Sequence, residues 1–469
     1  MKTILSAKQK AQLVNENENI YGTFVEIGAG QETVRNFFRA GNASHTIAKA
    51  MSAYDKDFSD AIYGVEDDHR YVTESRLKHM LSHEIRLIEE RLTRDKHPDK
   101  LFFTYANTVA TIHFAKQYKG HGWAGLRFQL DPLEPYNEVV MHVRFHESDA
   151  RMQQEILGTM GVNLIYGCFY YYNNPRELIQ SLYDNLFTDQ IEVDMINFSG
   201  PRFAYIDNRL MSLQLVKSGM TDAVLFGPDG NNILPAHLLY KKNILALRGS
   251  FRPVTKVNID MFEKGYKMFL NENRVDEDNA IVLFEITLSN LKAPGHIDER
   301  DFLDRAELLS RIGHKVLISR FSEYYKLVDY FARFTKSRIG LVMGVPNLID
   351  IFNEKYYRDL SGGILEAFGK LFFKDLKIYL YPSMKAGEFY DSSNLKVHPR
   401  LKELYKHFKR NGRIVDVEDF DKSVMGIYSR EVLRKIAAGE SGWQEMLPKG
   451  LANTIKDNRM FGYARNVLA

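Results

Sequence analysis

The sequence predicts an α/β protein with largely parallel sheets and flanking helices, and three observations predict it. Apolar runs of strand length recur along the chain, amphipathic segments separate most of them, and 45% of the 469 residues are hydrophobic, enough for large cores and at least two domains. The strands are numerous enough to suit a closed (β/α)8-like barrel as the alternative. Two open sheets are the preferred reading, because the connections vary widely in length and a strand-turn-helix signature restarts a fold at Ile244.

Taken in order, "ESRLKHMLSHEIRLIEERL" places Leu77, Leu81, Ile85, Ile88 and Leu92 at three- and four-residue steps, the apolar stripe of a helix. "WAGLRFQL" and "NEVVMHVRFH" read as strands, the second with Val139, Met141, Val143 and Phe145 on one face. Beyond Asp149 the pattern becomes more regular. Strands are expected in "NLIYGCFYYY" (Asn163 to Tyr172), "IEVDMINF", "DAVLFG", "ILALRG", "AIVLFEITL", "KVLISRF", "RIGLVMGV" and "LKIYLYP". The tail from Lys422 reads as helices and loop. The expected division is an N-terminal α/β region over 1–235, a second α/β domain over 236–421 and a helical tail over 422–469.

Charge excludes little and names no partner: 63 Lys+Arg against 60 Asp+Glu leave a net +3, too balanced for nucleic acid or an anionic membrane surface. The single cysteine, Cys168, excludes an intramolecular disulfide and multi-cysteine metal sites. No apolar run reaches membrane-spanning length and the first residues lack a secretory core, so a cytoplasmic protein with no membrane partner is expected.

Two glycine-rich stretches invite a phosphate. In "TFVEIGAGQETVRNFF", Gly28-Ala29-Gly30 follows an apolar run, but Thr33 stands where a third glycine belongs and "GNASHTIAKAMSAYD" reads as a second helix, so a tight turn is preferred to a dinucleotide or S-adenosylmethionine site. Ser361-Gly362-Gly363 precedes a helix and reads as a cap with anion-binding geometry.

"RGSFRPVTKVNIDM", Arg248 to Met261, carries more, since strand, turn and helix stand in order. Glycine lets the main chain approach a ligand and proline fixes the exit. Ser250 and Thr255 can donate hydroxyl hydrogen bonds, the helix start offers unpaired N–H groups, and Arg248, Arg252 and Lys256 add positive charge, together a cradle for polyphosphate.

Gly249, Ser250, Phe251, Pro253 and Thr255 resemble the Gly-Ser-Phe-x-Pro-x-Thr motif of the nucleotidylyltransferase superfamily, in the form found in nicotinamide and nicotinate mononucleotide adenylyltransferases. The whole chain is similar to a bacterial family carrying the name nicotinate-nucleotide adenylyltransferase. The resemblance implies a Rossmann-like C-terminal half that binds ATP or a pyridine mononucleotide and transfers AMP, with Mg²⁺ accompanying ATP. It also implies nucleotide-binding roles for Gly249, Ser250, Phe251 and Lys256, and catalytic roles for Thr255, Arg252 and the residue at position 258. That residue is Asn258 where the family has a histidine, a neutral donor replacing a cationic one, which favours binding over turnover. The family's second motif has a partial echo in "DSSNLKVHPRL". There Ser392 and Ser393 match, Asn394 and Val397 replace threonine and arginine, and Lys396 offers an adjacent charge to close the site from the other side.

"IVLFEITLSNL" resembles the first motif of haloacid-dehalogenase-type phosphatases, but Glu285, Ile286 and Thr287 lack its aspartate pair, and that activity is excluded. His79 and His83 stand four apart on a helix with no third ligand in view, so no metal site is assigned. Cys168 reads as a buried, inert thiol. The alternative function is a catalytically inactive, self-assembling scaffold that kept the fold, and a homo-oligomer is expected in either case.

Overall fold

The computed structural model describes residues 4–67, 69–113, 119–292, 295–372, 375–385 and 387–463. The chain divides into two compact units, Met1–Asp222 and Ala223–Ala469. The division precedes the expected 235/236 boundary because residues 223–235 supply two strands to the second sheet, and residues 422–463 belong to the second unit.

The first unit has strands β1 (Ile20–Gly28), β2 (Ile47–Ala53), β3 (Leu101–Ala110), β4 (His121–Phe128), β5 (Asn137–Phe145) and β6 (Ile191–Ser199), in the order β2-β1-β3-β4-β5-β6. β1 runs parallel to β2 and β3, and β3 to β6 are antiparallel neighbours. Its helices are α1 (Ala7–Asn15), α2 (Glu32–Ala40), α3 (Lys56–Tyr63), α4 (Glu74–Arg91), α5 (Ala150–Tyr170), α6 (Pro175–Ser181) and α7 (Asn208–Lys217). Leu77 and Leu81 of α4 lie over Gly125. Ala124, Leu126, Val139, Met141 and Val143 face the opposite way, into the core with Leu157, Leu164 and Ile165 of α5.

Two expectations fail here. Asn163 to Tyr170 belong to α5 rather than to a strand: most of this helix is buried, and an apolar run without polar alternation does not distinguish a buried helix from a strand. Gly158 and Gly161 let it press onto Glu32 and Thr33 of α2. The segment read as a second helix after Gly41 forms β2 instead, an edge strand alternating between half-buried and exposed positions.

The second unit has strands β7 (Ala223–Phe226), β8 (Asn232–Ile233), β9 (Asn243–Arg248), β10 (Ala280–Thr287), β11 (Lys315–Ser319), β12 (Ile339–Gly344), β13 (Leu376–Tyr381), β14 (Ser383–Lys385), β15 (Glu388–Tyr390) and β16 (Ile414–Asp416). The large sheet has the order β16-β13-β12-β9-β10-β11-β7-β8; the six strands from β16 to β11 are parallel, and β7 and β8 add an antiparallel edge. Helices α8 (Pro235–Leu239), α9 (Lys256–Leu270), α10 (Leu288–Leu291), α11 (Glu299–Arg311), α12 (Tyr324–Ala332), α13 (Val345–Ile351), α14 (Gly363–Leu371), α15 (Lys402–Arg410), α16 (Ser429–Ala438) and α17 (Leu451–Asp457) complete the unit. Both sheets have free edges, so neither is a closed barrel.

Chain direction within this sheet matters for the site. From β9 the chain adds β10 and β11 on one side, then returns to add β12, β13 and β16 on the other. The order therefore reverses between β9 and β12, and in open α/β sheets ligands bind outside the carboxyl ends of the strands at such a reversal. Residues after α17 close on α11: Arg300 donates to the Asn458 carbonyl at 2.8 Å and the Phe461 N–H donates to Asp304 at 2.9 Å. Among the described residues no helix is long and apolar enough to cross a membrane.

Candidate functional site at the carboxyl end of β9

The Gly-Ser-Phe-Arg-Pro turn leaves β9 at the reversal point and opens into the fifteen-residue α9. Arg248, the last residue of β9, is committed to the sheet: its guanidinium donates to both Glu285 oxygens at 2.7 and 2.9 Å and lies 4.2 Å from the Tyr324 ring centre. Glu285 also accepts from the Ser319 hydroxyl at 2.6 Å and is fully buried, so it is a paired structural carboxylate.

Phe251 has φ +44° and folds its buried ring onto Phe284 and back over Gly249. A Cβ at Gly249 would lie 2.8 Å from that ring, so glycine is required here by Phe251 before any ligand is considered. Ser250 is exposed, and its carbonyl accepts from Arg305 at 3.2 Å. Arg252, joined to Pro253 by a cis peptide bond, is ion-paired with Asp301, which also holds Arg305.

Thr255 and Asn258 are explained by the helix they begin. Thr255 is fully buried, and both its N–H and its hydroxyl donate to the Asn258 side-chain carbonyl at 3.0 Å. The pair is a capping box with asparagine at the third helical position. Lys256 is exposed, and of the first-turn N–H groups of α9 that of Asn258 donates to the Thr255 carbonyl at 3.0 Å, which leaves those of Lys256 and Val257 without an intrahelical acceptor. Four features of the turn therefore remain open to a ligand: Ser250, Lys256, the Asn258 amide NH₂ and the helix N-terminus.

The second group of expected residues does not converge on this turn. Ser392 is buried; its N–H and hydroxyl donate to Asp416 at the end of β16, and its carbonyl accepts from Tyr405 and Lys409. Ser393 donates to Asp391, while Lys396 lines a cavity with residues that follow α13. No hydrogen bond joins residues 391–398 to the turn among the described residues.

The other candidates resolve in physical terms. At Gly28-Ala29-Gly30 the place a ligand's anion would take at the helix start is filled by the protein's own Glu26 carboxyl, which accepts from the Thr33 N–H and the Asn107 amide, each at 3.2 Å. Burial pushes the Glu26 carboxyl up to about 8. At Ser361-Gly362-Gly363, the Gly362 N–H donates to Glu366 at 3.0 Å. Cys168 is buried in α5, which raises its thiol and leaves it inert. His79 is mostly exposed, and among the described residues no three His, Cys, Asp or Glu side chains form a metal cluster.

Sequence reading missed one chain of polar groups. On the α4 face of the first sheet, His142 Nδ1 meets Asp194 at 2.6 Å and its Nε2 meets His121 Nδ1 at 3.2 Å. His142 and Asp194 are both buried. The carboxylate accepts from His142 Nδ1–H, which leaves Nε2 of the neutral ring to accept from His121. The row's signal was period-two spacing of His121, His142, Arg144, Glu192 and Asp194 across neighbouring strands.

The chain matches no protein-family model and no curated protein. Among solved structures, it is similar to a competence-damaged protein (CinA) superfamily protein from Enterobacter cloacae, at 11% identity over 36% of this chain and 95% of that one, with a TM-score of 0.27. A competence or damage-inducible protein from Enterobacter asburiae gives 11%, 36%, 99% and 0.27 on the same measures. For the competence/damage inducible protein CihA from Agrobacterium tumefaciens they are 11%, 35%, 97% and 0.26. Similarity at this level carries no functional argument.

Proposed function

We propose that the second unit is a Rossmann-like domain of the nucleotidylyltransferase type, binding ATP or a pyridine mononucleotide through its phosphates at the turn after β9. The observation that supports this reading is the coincidence of the motif with the reversal of strand order: the one turn carrying Gly-Ser-Phe-x-Pro-x-Thr stands beside the β9/β12 crevice. Ser250, Lys256, the Asn258 amide and the N–H groups of Lys256 and Val257 at the start of α9 would hold phosphate oxygens. Asp301 is already paired, so Mg²⁺ would enter with the nucleotide and be held by its phosphates.

In adenylyl transfer, the phosphate of nicotinate mononucleotide would attack the α-phosphorus of ATP and pyrophosphate would leave. The protein's part is in-line positioning and donation to the developing charge. With Arg252 paired and Thr255 committed to the cap, the turn is equipped for binding more than for turnover.

Calorimetry with Mg-ATP and with nicotinate mononucleotide tests the reading, using Lys256→Glu and Ser250→Asp because both side chains are exposed. Valine at Gly249 is a poor probe, since it would clash with Phe251 whatever the ligand. Saturable binding weakened tenfold or more in both variants is expected. Absence of binding to either nucleotide, or affinity indifferent to both variants, would overturn the assignment.

A further inference from the structure

We infer that the second unit carries a separate anion site, in the cavity between the end of α13 and residues 396–398, shaped for a phosphate monoester on a planar or apolar group. The cavity has a volume of about 340 Å³. That is the size at which small-molecule pockets begin, roughly 300 Å³, and it suits a ligand as large as a mononucleotide.

Its walls combine the two chemistries such a ligand needs. Ile349, Phe352 and Val397 give an apolar surface, with Ile349 left 43% exposed. Lys355, Arg358 and Lys396 bring three positive charges, against Glu354 as the one acidic residue in the lining. None of the three is ion-paired among the described residues. Elsewhere in the same unit, cations with a structural task are matched: Arg248 with Glu285, Arg305 with Asp301, and Arg338 with Glu272 and Asp375. His398 receives the Arg400 N–H on Nδ1, which leaves its proton on Nε2 as another donor.

Position agrees with the chemistry. α13 leaves the carboxyl end of β12, and the segment carrying Lys396 follows β13 and is fixed at Ser392 to the end of β16. Both lining segments thus depart from the carboxyl end of the sheet, the end at which α/β proteins bind ligands. A forked guanidinium and two ammonium groups around one small cavity fit the several oxygens of a phosphate better than a lone carboxylate.

The test is titration of the full chain with 5′-AMP, inorganic phosphate and adenosine, in the wild type, Arg358→Glu, Lys396→Glu and Lys256→Glu. Expected is saturable AMP binding that each of the first two variants weakens tenfold or more and Lys256→Glu leaves unchanged, with phosphate competing and adenosine failing to compete. This inference is independent of the β9 turn. Absence of AMP binding, loss of it in Lys256→Glu alone, or competition by adenosine but not by phosphate would each overturn it. Both 358 and 396 are exposed, so charge reversal there leaves the fold intact.

Discussion

Asn258 shows how a residue's identity can be set by the backbone rather than by a substrate. Its carbonyl accepts two hydrogen bonds from Thr255, one of them from a buried hydroxyl. Alanine at 258 removes that acceptor, and Asn258→Ala is expected to lower stability by about 1 kcal/mol. Thermal unfolding of the variant measures it, and an unchanged melting temperature would refute the capping role. The Asp194-His142-His121 row makes a second expectation at this scale. Removing the carboxylate leaves a buried imidazole N–H without its acceptor, so Asp194→Ala should cost roughly 1–3 kcal/mol in denaturant unfolding, while the isosteric Asp194→Asn recovers part of it. In the sequence Thr255 and Asn258 read as ligand-facing residues rather than as the helix cap they form, and Arg252's partner, Asp301, comes from another helix and could not be seen.

At the scale of elements, legibility followed burial and alternation. The predicted strands of the second unit form as β7 and β9 to β13, because each is an apolar run, ended in all but β10 by a glycine, a proline or a charged residue. β5 was legible down to its inward face, since Val139, Met141, Val143 and Phe145 alternate with outward residues. α5 and β2 were not, for opposite reasons: α5 is buried almost all round and loses its polar stripe, and β2 is an edge strand written in helix-favouring Ala, Lys and Met. The α5 packing is testable. A Cβ on Gly161 would lie 2.4 Å from the Thr33 hydroxyl and 2.6 Å from that of Tyr105, so Gly161→Val should destabilise the protein by about 1–3 kcal/mol through overpacking. Chemical denaturation decides, and a variant of wild-type stability would mean that α5 and α2 separate easily.

Across the whole molecule, the two units hold titratable groups with opposite pH responses, buried Glu26 in the first and half-buried His314 in the second. Glu26 in the first is raised from 4.5 to about 8, chiefly by burial. The folded chain therefore binds its proton more tightly than the unfolded chain does. That contribution, on the order of a few kcal/mol, is complete below pH 4.5 and is lost as pH rises through 8. His314 in the second unit, stacked on Phe284 at 4.2 Å, is lowered from 6.5 to about 4 by burial and by Lys315. Its contribution is complete above pH 6.5 and is lost as pH falls through 4. Each unit has its own core, so each should give its own thermal transition. Between pH 5 and pH 6.5 the transition of the first unit should fall and that of the second should rise. Calorimetric scans of Glu26→Gln and His314→Phe assign them, because Glu26→Gln should flatten only the falling transition and His314→Phe only the rising one. A single transition whose pH dependence ignores both substitutions would show that neither group governs the stability of its unit.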